Sequence, residues 1–336
     1  MKTQFFALLA AGLLLCSGCK KDADLLQVDC EPSEVSTIAS VLDKYAAPVQ
    51  KFIVDPNTNS TVSTAAGSQI EIPAGLVKRN GQPLSASQIV VQVREVTKRS
   101  EMIFSHTPTI SYNRVLESGG MFNVSFFQDG QPLDLARFSR LRLRTRFPVA
   151  QSSRNGMQLF TGQPDSSNSS RLGNWALVSS QDSATRISID SIQIQNPGSP
   201  NPPINVPSGY QVLLGSYFYN NNVRNLNWVN IDRFVGALPT TTVQVQTAVP
   251  ITTSNTEVYL VFNTLNSVIQ SYNQSNSTYY NYSVPQGYSV TAVVLRREAD
   301  QLYFGKQTAT VVANQVFTPS LRAVTEAELV AEIRQL

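Results

Sequence analysis

The chain has a single histidine, His106, so any mechanism that needs an imidazole base must run through it. Such a base also needs a nucleophile within reach and an acid to orient it. No Gly-x-Ser-x-Gly elbow is present to offer a serine, and His106 lies between an apolar strand end and Pro108. Ser-His-Asp and Cys-His chemistry is therefore not expected. Histidine and cysteine are too scarce for an ordinary zinc site. Neither a phosphate-cradling glycine loop nor an EF-hand loop occurs. The expectation is a protein with no metal and no cofactor, and not an enzyme.

Other chemistry survives this count. Glycan hydrolysis by paired carboxylates needs only two acids brought close. Asp232 is the acid to watch, because it lies in the apolar run Trp228–Phe234 with Trp228 and Arg233 nearby. Buried acids are usually paired, so it is expected to be a structural acid beside an arginine, or an outward strand residue. A carboxylate-dependent glycan hydrolase stands as the alternative reading of the chain. Binding without catalysis has better material. The run from Ser271 to Tyr282 mixes Tyr272, Tyr279, Tyr280 and Tyr282 with amides and serines. Aromatic faces stack on sugar rings, while amides donate and accept hydrogen bonds. These tyrosines are the candidate ligand contacts, unless the run is a polar hairpin whose tyrosines pack on their own domain.

A second candidate is cationic. Arg140, Arg142, Arg144 and Arg146 alternate with Leu141, Leu143 and Thr145. One strand would present them as an outward row with a spacing of about 7 Å. Unpaired, the row would dock an anionic partner; with acids on neighbouring strands it is an ordinary solvated face. The chain has 26 Lys+Arg against 23 Asp+Glu, a net +3 that becomes +2 without Lys2 of the leader. Near balance leaves acids to pair the row and gives no footing for nucleic acid.

The elements that position these residues begin with a leader. Lys2 precedes an apolar run from Phe5 to Leu15, followed by Cys16-Ser17-Gly18-Cys19. A charged start, a short apolar core and small residues before a cleavage point describe a secretory signal. The run is too short for a spanning helix. Ser17 and Gly18 before Cys19 resemble a bacterial lipobox, which implies cleavage before Cys19 and a lipid on it. Lys20-Lys21-Asp22 resembles the surface-export tag of such lipoproteins. Cys30 would then be the one free cysteine, with no intramolecular disulfide. The expected location is the outer membrane, facing periplasm or cell surface, held through the N-terminal lipid.

Behind a tether at 20–32, Ser33 to Ala47 reads as a helix. Val35, Ile38, Val41, Leu42 and Tyr45 recur at helical spacing, and Pro48 ends it. Its polar face has only Lys44 as a cation, so it is expected to pack on protein rather than on a membrane. Gly67 to Leu135 reads as successive strands, with Met102–Phe104 among them. Ile70 and Ile72 alternate with Gln69 and Glu71, and Ile89, Val91 and Val93 share a face. Asn80-Gly81 and Asp129-Gly130 are turn dipeptides. Gly119-Gly120, ahead of a strand from Met121 to Phe127, suggests a bulge or a close backbone approach.

Two resemblances sit on these residues. Gly67-Ser68-x-Ile70-x-Ile72-Pro73-Ala74-Gly75 resembles the opening of the sandwich domain found in ankyrins and netrin receptors. Glu95-Val96, the Met-Ile-Phe-Ser of 102–105 and the Leu-Glu-Ser-Gly-Gly-Met-Phe of 116–122 resemble cell-surface lipoproteins of Bacteroidota-type bacteria, over residues 50–135. The resemblance implies a β-sandwich at the envelope and carries over no catalytic residues. Asp182-Ser183-Ala184 and Asp190-Ser191-Ile192 resemble short O-glycosylation sites of exported proteins in such bacteria. Ser183 is the better site, since Ser191 falls in an expected strand.

Further strands are expected at 175–178, 187–194 with a register change near Ser191, 210–219, 226–234, 241–247, 257–263, 288–297 and 302–312. The last two form a hairpin about Ala299-Asp300. Residues 151–172 and the proline-rich 196–208 read as loops, and Asn220-Asn221-Asn222 as a turn. Thr325 and Glu328 have capping-box spacing, with Leu329, Ile333 and Leu336 as one stripe of a closing helix. The fold class expected is all-β, with tandem antiparallel sandwiches and short helices near each end. The division expected is 1–18 signal, 19–48 tether and helix, 49–150 sandwich, 151–238 second β domain and 239–336 a third with the closing helix. The function expected is a lipid-anchored envelope or surface protein that binds a glycan or an envelope protein, or builds structure.

Overall fold

The computed structural model describes residues 37–336 apart from 85–87, 166–170, 179–183, 195–203, 224–225, 237, 248–254 and 276. The leader, Cys19, Cys30, the tether, the start of the expected first helix and Ser183 lie outside the described residues. No described helix is long and apolar enough to cross a membrane.

Antiparallel sheets build the molecule. In the first sandwich one sheet runs Gln50–Val54, Ile89–Val96, Arg114–Gln128, Trp228–Phe234, Gln158–Pro164, Leu172–Leu177. The facing sheet runs Arg186–Ile194, Ile204–Gly215, Arg140–Arg146, Gln69–Ile72, Ser60–Ser63. Side chains alternate along each strand, so Ile89, Val91 and Val93 of one sheet meet Ile70, Leu141 and Leu143 of the other in a single core. Arg140–Arg146 pairs with Ile204–Gly215, and Arg114–Gln128 pairs with Trp228–Phe234. Residues 151–238, expected as a second β domain, thus supply strands to the sheets begun by residues 49–150. The reason lies in Arg114–Gln128, which is buried on both faces over 116–122 and needs a partner on each side.

In the C-terminal sandwich one sheet holds Tyr272–Ser275, Thr278–Pro285, Thr240–Gln246 and, joined in parallel, Val316–Phe317. The other holds Ser267–Gln270, Thr256–Phe262, Ser289–Glu298, Gln301–Thr310 and Arg322–Val324. Among the described residues four helices complete the fold: α1 (Ile38–Asp43), α2 (Arg99–Phe104), α3 (Ser216–Val223) and α4 (Glu326–Arg334). A middle core joins the sandwiches. Ile38, Val41 and Leu42 of α1 meet Met102, Ile103 and Phe104 of α2, with Leu329 and Ile333 of α4. Met121 and Trp175 close it from one sandwich, Tyr259 and Val293 from the other. The strand Thr256–Phe262 is buried on both faces for this reason: Val258, Leu260 and Phe262 fill its own sandwich, while Tyr259 and Val261 fill the middle core.

Several local expectations hold. Asn80 and Gly81 turn at positive φ, and Glu298–Gln301 closes the 289–310 hairpin. The register shifts between Asp190 and Ser191. Thr325 caps α4, with its hydroxyl accepting from Glu328 N–H and Glu328 reaching back to Thr325 N–H. Gly119 and Gly120 form a bulge, because Asn230 opposes Met121 while Asp232 opposes Ser118. Gly120 takes φ +123°, and a Cβ on Gly119 would stand 2.9 Å from the Tyr210 ring and 3.0 Å from the Ile231 carbonyl.

Other expectations are corrected. Met102–Phe104 is helical, not a strand: the Glu101 carboxylate accepts from the N–H groups of Thr97 and Lys98, at 2.9 and 3.1 Å, and so starts α2. The first helix ends at Asp43, before Tyr45. Gln158–Pro164 is a strand rather than loop, fixed by pairing on both sides. Ile204–Gly215 begins inside the proline-rich stretch. Its Pro207 sits at the register shift opposite Ser191, where a missing N–H costs the ladder least. Residues 216–223 leave the sheet as α3, so the asparagines 220–222 lie in a helix.

Candidate functional site

The tyrosine run forms a hairpin, Tyr272–Ser275 with Thr278–Pro285. Tyr272 lies opposite Tyr280, and Tyr280 stacks on Tyr282 with ring centroids 6.2 Å apart and planes 11° from parallel. Period 2 puts all three on the outer face of the sheet, where Tyr272 and Tyr282 are about half exposed. Gln244 lies across the ladder from Tyr280 on the same face. Tyr279 points the other way and is buried in the sandwich core, so it cannot touch a ligand. A narrow groove beside the face is lined by Tyr272, Tyr282 and Asn113. Asn113 comes from the Tyr112-Asn113 turn, where both residues have positive φ and Tyr112 is 70% exposed.

The arginine row is on one outer face but is not uniform. Arg142 lies across the ladder from Glu71 and pairs with it at 2.9 Å. Arg144 reaches the same carboxylate at 3.0 Å and Asp190 at 3.8 Å. The two middle arginines are thus neutralised by cross-strand acids. Arg140 is exposed at one end. Arg146, at the other end, lines a cleft of about 470 Å³ with Glu95, Lys98, Arg99 and Arg334.

His106 lies in a buried ionic cluster. The turn after α2 holds it at φ +50°, with 7% of the residue exposed. Its Nδ1 is 3.3 Å from Glu257 Oε2, and its Nε2 is 3.2 Å from Asp43 Oδ1. The Tyr259 hydroxyl donates to Glu257 Oε2 at 2.5 Å, and Arg171 stands 3.6 Å from Glu257 Oε1. Burial opposes a charged ring here, but the contacts with Asp43 and Glu257 outweigh it and raise the pKa to about 9. Burial also opposes the charge on Glu257; His106 overcomes that and leaves the carboxyl below its ordinary range. Asp43 is lowered, chiefly by its contact with His106. An imidazolium has no lone pair, so His106 cannot accept a proton near neutral pH. It joins α1, the turn after α2 and the strand Thr256–Phe262.

Asp232 is fully buried and does not pair with an arginine. Arg233 points to the opposite face, as neighbours on a strand must, and its Nε donates to Glu117 at 2.7 Å. Ser152 donates to the same carboxylate from its hydroxyl, at 2.9 Å, and from its N–H. Asp232 accepts from Asn230 Nδ2 at 2.6 Å. Burial pushes its carboxyl well up, Ser118 and Asn230 pull it down, and the Glu117 charge raises it again. The balance favours the neutral form of this carboxyl over the charged one. Both Glu117 and Asp232 have no exposed surface, and neither lines the groove or the cleft. Among the described residues no group of three or more His, Cys, Asp or Glu could hold a metal ion.

Sequence reading missed Tyr112 and Asn113, although a tight turn is legible in an Asn flanked by strand residues. It also missed the cations around Arg146, for which no local signal exists, since Lys98 and Arg334 are far apart in the chain. No protein-family profile and no curated protein matches the chain. Among solved structures it is similar to the gamma-CGTase from alkalophilic Bacillus clarkii, at 9% identity over 79% of this chain and 40% of that one, with a TM-score of 0.19. A score that low carries no argument about fold or activity.

Proposed function

We propose that this protein is a lipid-anchored envelope protein that binds a glycan on the tyrosine face of its C-terminal sandwich. The observation that carries the reading is the alignment of Tyr272, Tyr280 and Tyr282 on one outer sheet face beside Gln244. Flat aromatic rings cover the C–H faces of sugars, and the amide beside them reads hydroxyls. Binding is preferred over hydrolysis because Glu117 and Asp232 are closed from solvent. The anchor rests on Ser17-Gly18-Cys19 after the apolar leader. The envelope location is also supported by the resemblance of residues 50–135 to Bacteroidota-type surface lipoproteins and to the ankyrin and netrin-receptor sandwich.

Capture on a panel of immobilised neutral glycans tests the site. Tyr280→Ala with Tyr282→Ala is expected to weaken capture at least about tenfold, the equivalent of about 1.4 kcal/mol, with an unchanged melting temperature. Equal capture by wild type and variant, or none by either, overturns the glycan reading. Mass spectrometry of the mature N-terminus is expected to find acylated Cys19, and Cys19→Ala to release the protein from membranes. An unlipidated end elsewhere removes the anchor and leaves the glycan face standing.

A further inference from the structure

The cleft at Arg146 is a second site, independent of the tyrosine face. It lies where the end of the strand Arg140–Arg146 meets the start of α2 and the end of α4. Its volume of about 470 Å³ suits a small ligand, since such sites occupy about 300–1,000 Å³. Four cationic side chains line it: Lys98, Arg99, Arg146 and Arg334. One acid side chain does so, Glu95, and both its oxygens are taken by the hydroxyls of Thr64 and Ser68, at 2.6 and 2.7 Å. The side chains that line it are therefore net positive.

The cations differ in what they are free to do. Arg99 donates to the carbonyls of Phe262 and Asn263, at 2.6 and 3.1 Å, so it contributes field more than contact. Lys98 is 3.4 Å from Glu101. Arg146 and Arg334 have no carboxylate partner among the described residues. Arg146 is held over Gly67, where an added Cβ would stand 2.7 Å from its Nε. The backbone there is at φ +90° and leaves room for the guanidinium. A guanidinium placed this way presents a fork that matches a carboxylate or a phosphate. The segment that follows Arg146 adds apolar lining: Pro148 and Val149 belong to it, and Val149 is fully exposed, a poor position for a valine with nothing to cover it.

We propose that this cleft binds a small amphiphilic anion, with a carboxylate or phosphate head engaged by Arg146 and Arg334 and an apolar body on Pro148 and Val149. The pairing of Arg142 and Arg144 with Glu71 sharpens the assignment: of the two end arginines it leaves, Arg146 is the one that lines the cleft. Binding weakens as ionic strength rises, since the head is read by charge.

Calorimetric titration of the purified protein with hexanoate, hexyl phosphate and hexanol tests this. At least one anion is expected to bind about tenfold or more tighter than hexanol, and which of the two does so assigns the head group. Arg146→Gln with Arg334→Gln is expected to weaken that anion at least about tenfold. Lys51→Gln, an exposed cation on another strand, leaves binding unchanged. Val149→Asp places a negative charge on the rim without disturbing any buried group and is expected to weaken the anion while sparing hexanol. Anions that bind no better than hexanol, or a double arginine variant that binds as wild type does, overturn the proposal.

Discussion

Glu257 and Asp232 are both acids on central strands, both shut away from water, and the fold treats them in opposite ways. Glu257 keeps its charge below the ordinary carboxyl range because His106 and Arg171 stand on its side of the strand. Asp232 is pushed toward its neutral form, because Arg233 faces the other side and is spent on Glu117. Burial imposes the same kind of cost on each. A cation on the same face decides whether the acid remains ionised or takes up a proton. The two sites therefore differ in what they contribute: an ionic joint between layers at Glu257, and at Asp232 a hydrogen-bonded pair with Asn230 in which burial favours the neutral acid.

The largest expected effect is at the ionic joint. Glu257→Gln leaves the His106 charge buried with only the exposed carboxylate of Asp43, and is expected to cost about 3–5 kcal/mol in denaturant unfolding. A loss under about 1 kcal/mol would show that the joint is not ionic. Stability against pH probes the same point from the other partner. The folded pKa of His106, about 9, lies above its ordinary value of 6.5. Its contribution is therefore complete below about pH 6.5 and is lost as the pH climbs through about 9. On the acid side Asp43 and Glu257, both lowered, contribute above the ordinary carboxyl range and lose that contribution as the pH falls through their folded values. His106→Gln should flatten the alkaline limb; an unaltered limb means a neutral ring.

Next in size comes the bulge that sets Ser118 against Asp232. Gly119→Ala forces a methyl onto the Tyr210 ring and the Ile231 carbonyl and is expected to cost about 1–3 kcal/mol by thermal melting. If the alanine is tolerated, the close approach is not what the glycine is for. Asp232→Asn has the opposite sign from Glu257→Gln. The folded carboxyl titrates above the ordinary range in which the unfolded one ionises, so wild type loses stability as the pH rises out of that range and the asparagine does not. The variant is expected to gain on wild type as the pH rises above the ordinary carboxyl range, as read by denaturant unfolding at a series of pH values. A variant that falls below wild type at pH 7 places a charge on Asp232 and ends the contrast. The smallest effect belongs to the surface. Arg142→Gln breaks a partly exposed pair with Glu71 and should cost under about 1 kcal/mol.

Much of the frame was legible because its causes are local. The Asn80-Gly81 turn, the Gly119-Gly120 bulge, the Thr325 cap and the alternation of 140–146 each follow from a few adjacent residues, and each is present. The failures mark where partners override neighbours. Met102–Phe104 looks like a strand until Glu101 caps the turn and the middle core takes all three side chains. Gln158–Pro164 looks like loop because its own pattern is weak; strands on both sides make it one. Of the tyrosines, Tyr272, Tyr280 and Tyr282 kept a common face, whereas Tyr279 was lost to the core by period 2, a division the residue types alone do not state.

Residue order by itself determined the fold class, the Thr325 cap, the Asn80-Gly81 turn, the bulge, and the placing of four arginines on one strand face. These depend on dihedral preferences and on the side-chain period, which adjacent residues carry with them. Only the tertiary structure decided which charges matter. His106 meets Glu257 across a long stretch of chain, Glu71 satisfies two of the four arginines, and Arg334 arrives beside Arg146 from the last helix. Ionisation and pairing respond to fields and dielectric through space, and those are set by residues that are neighbours only once the sheets have stacked.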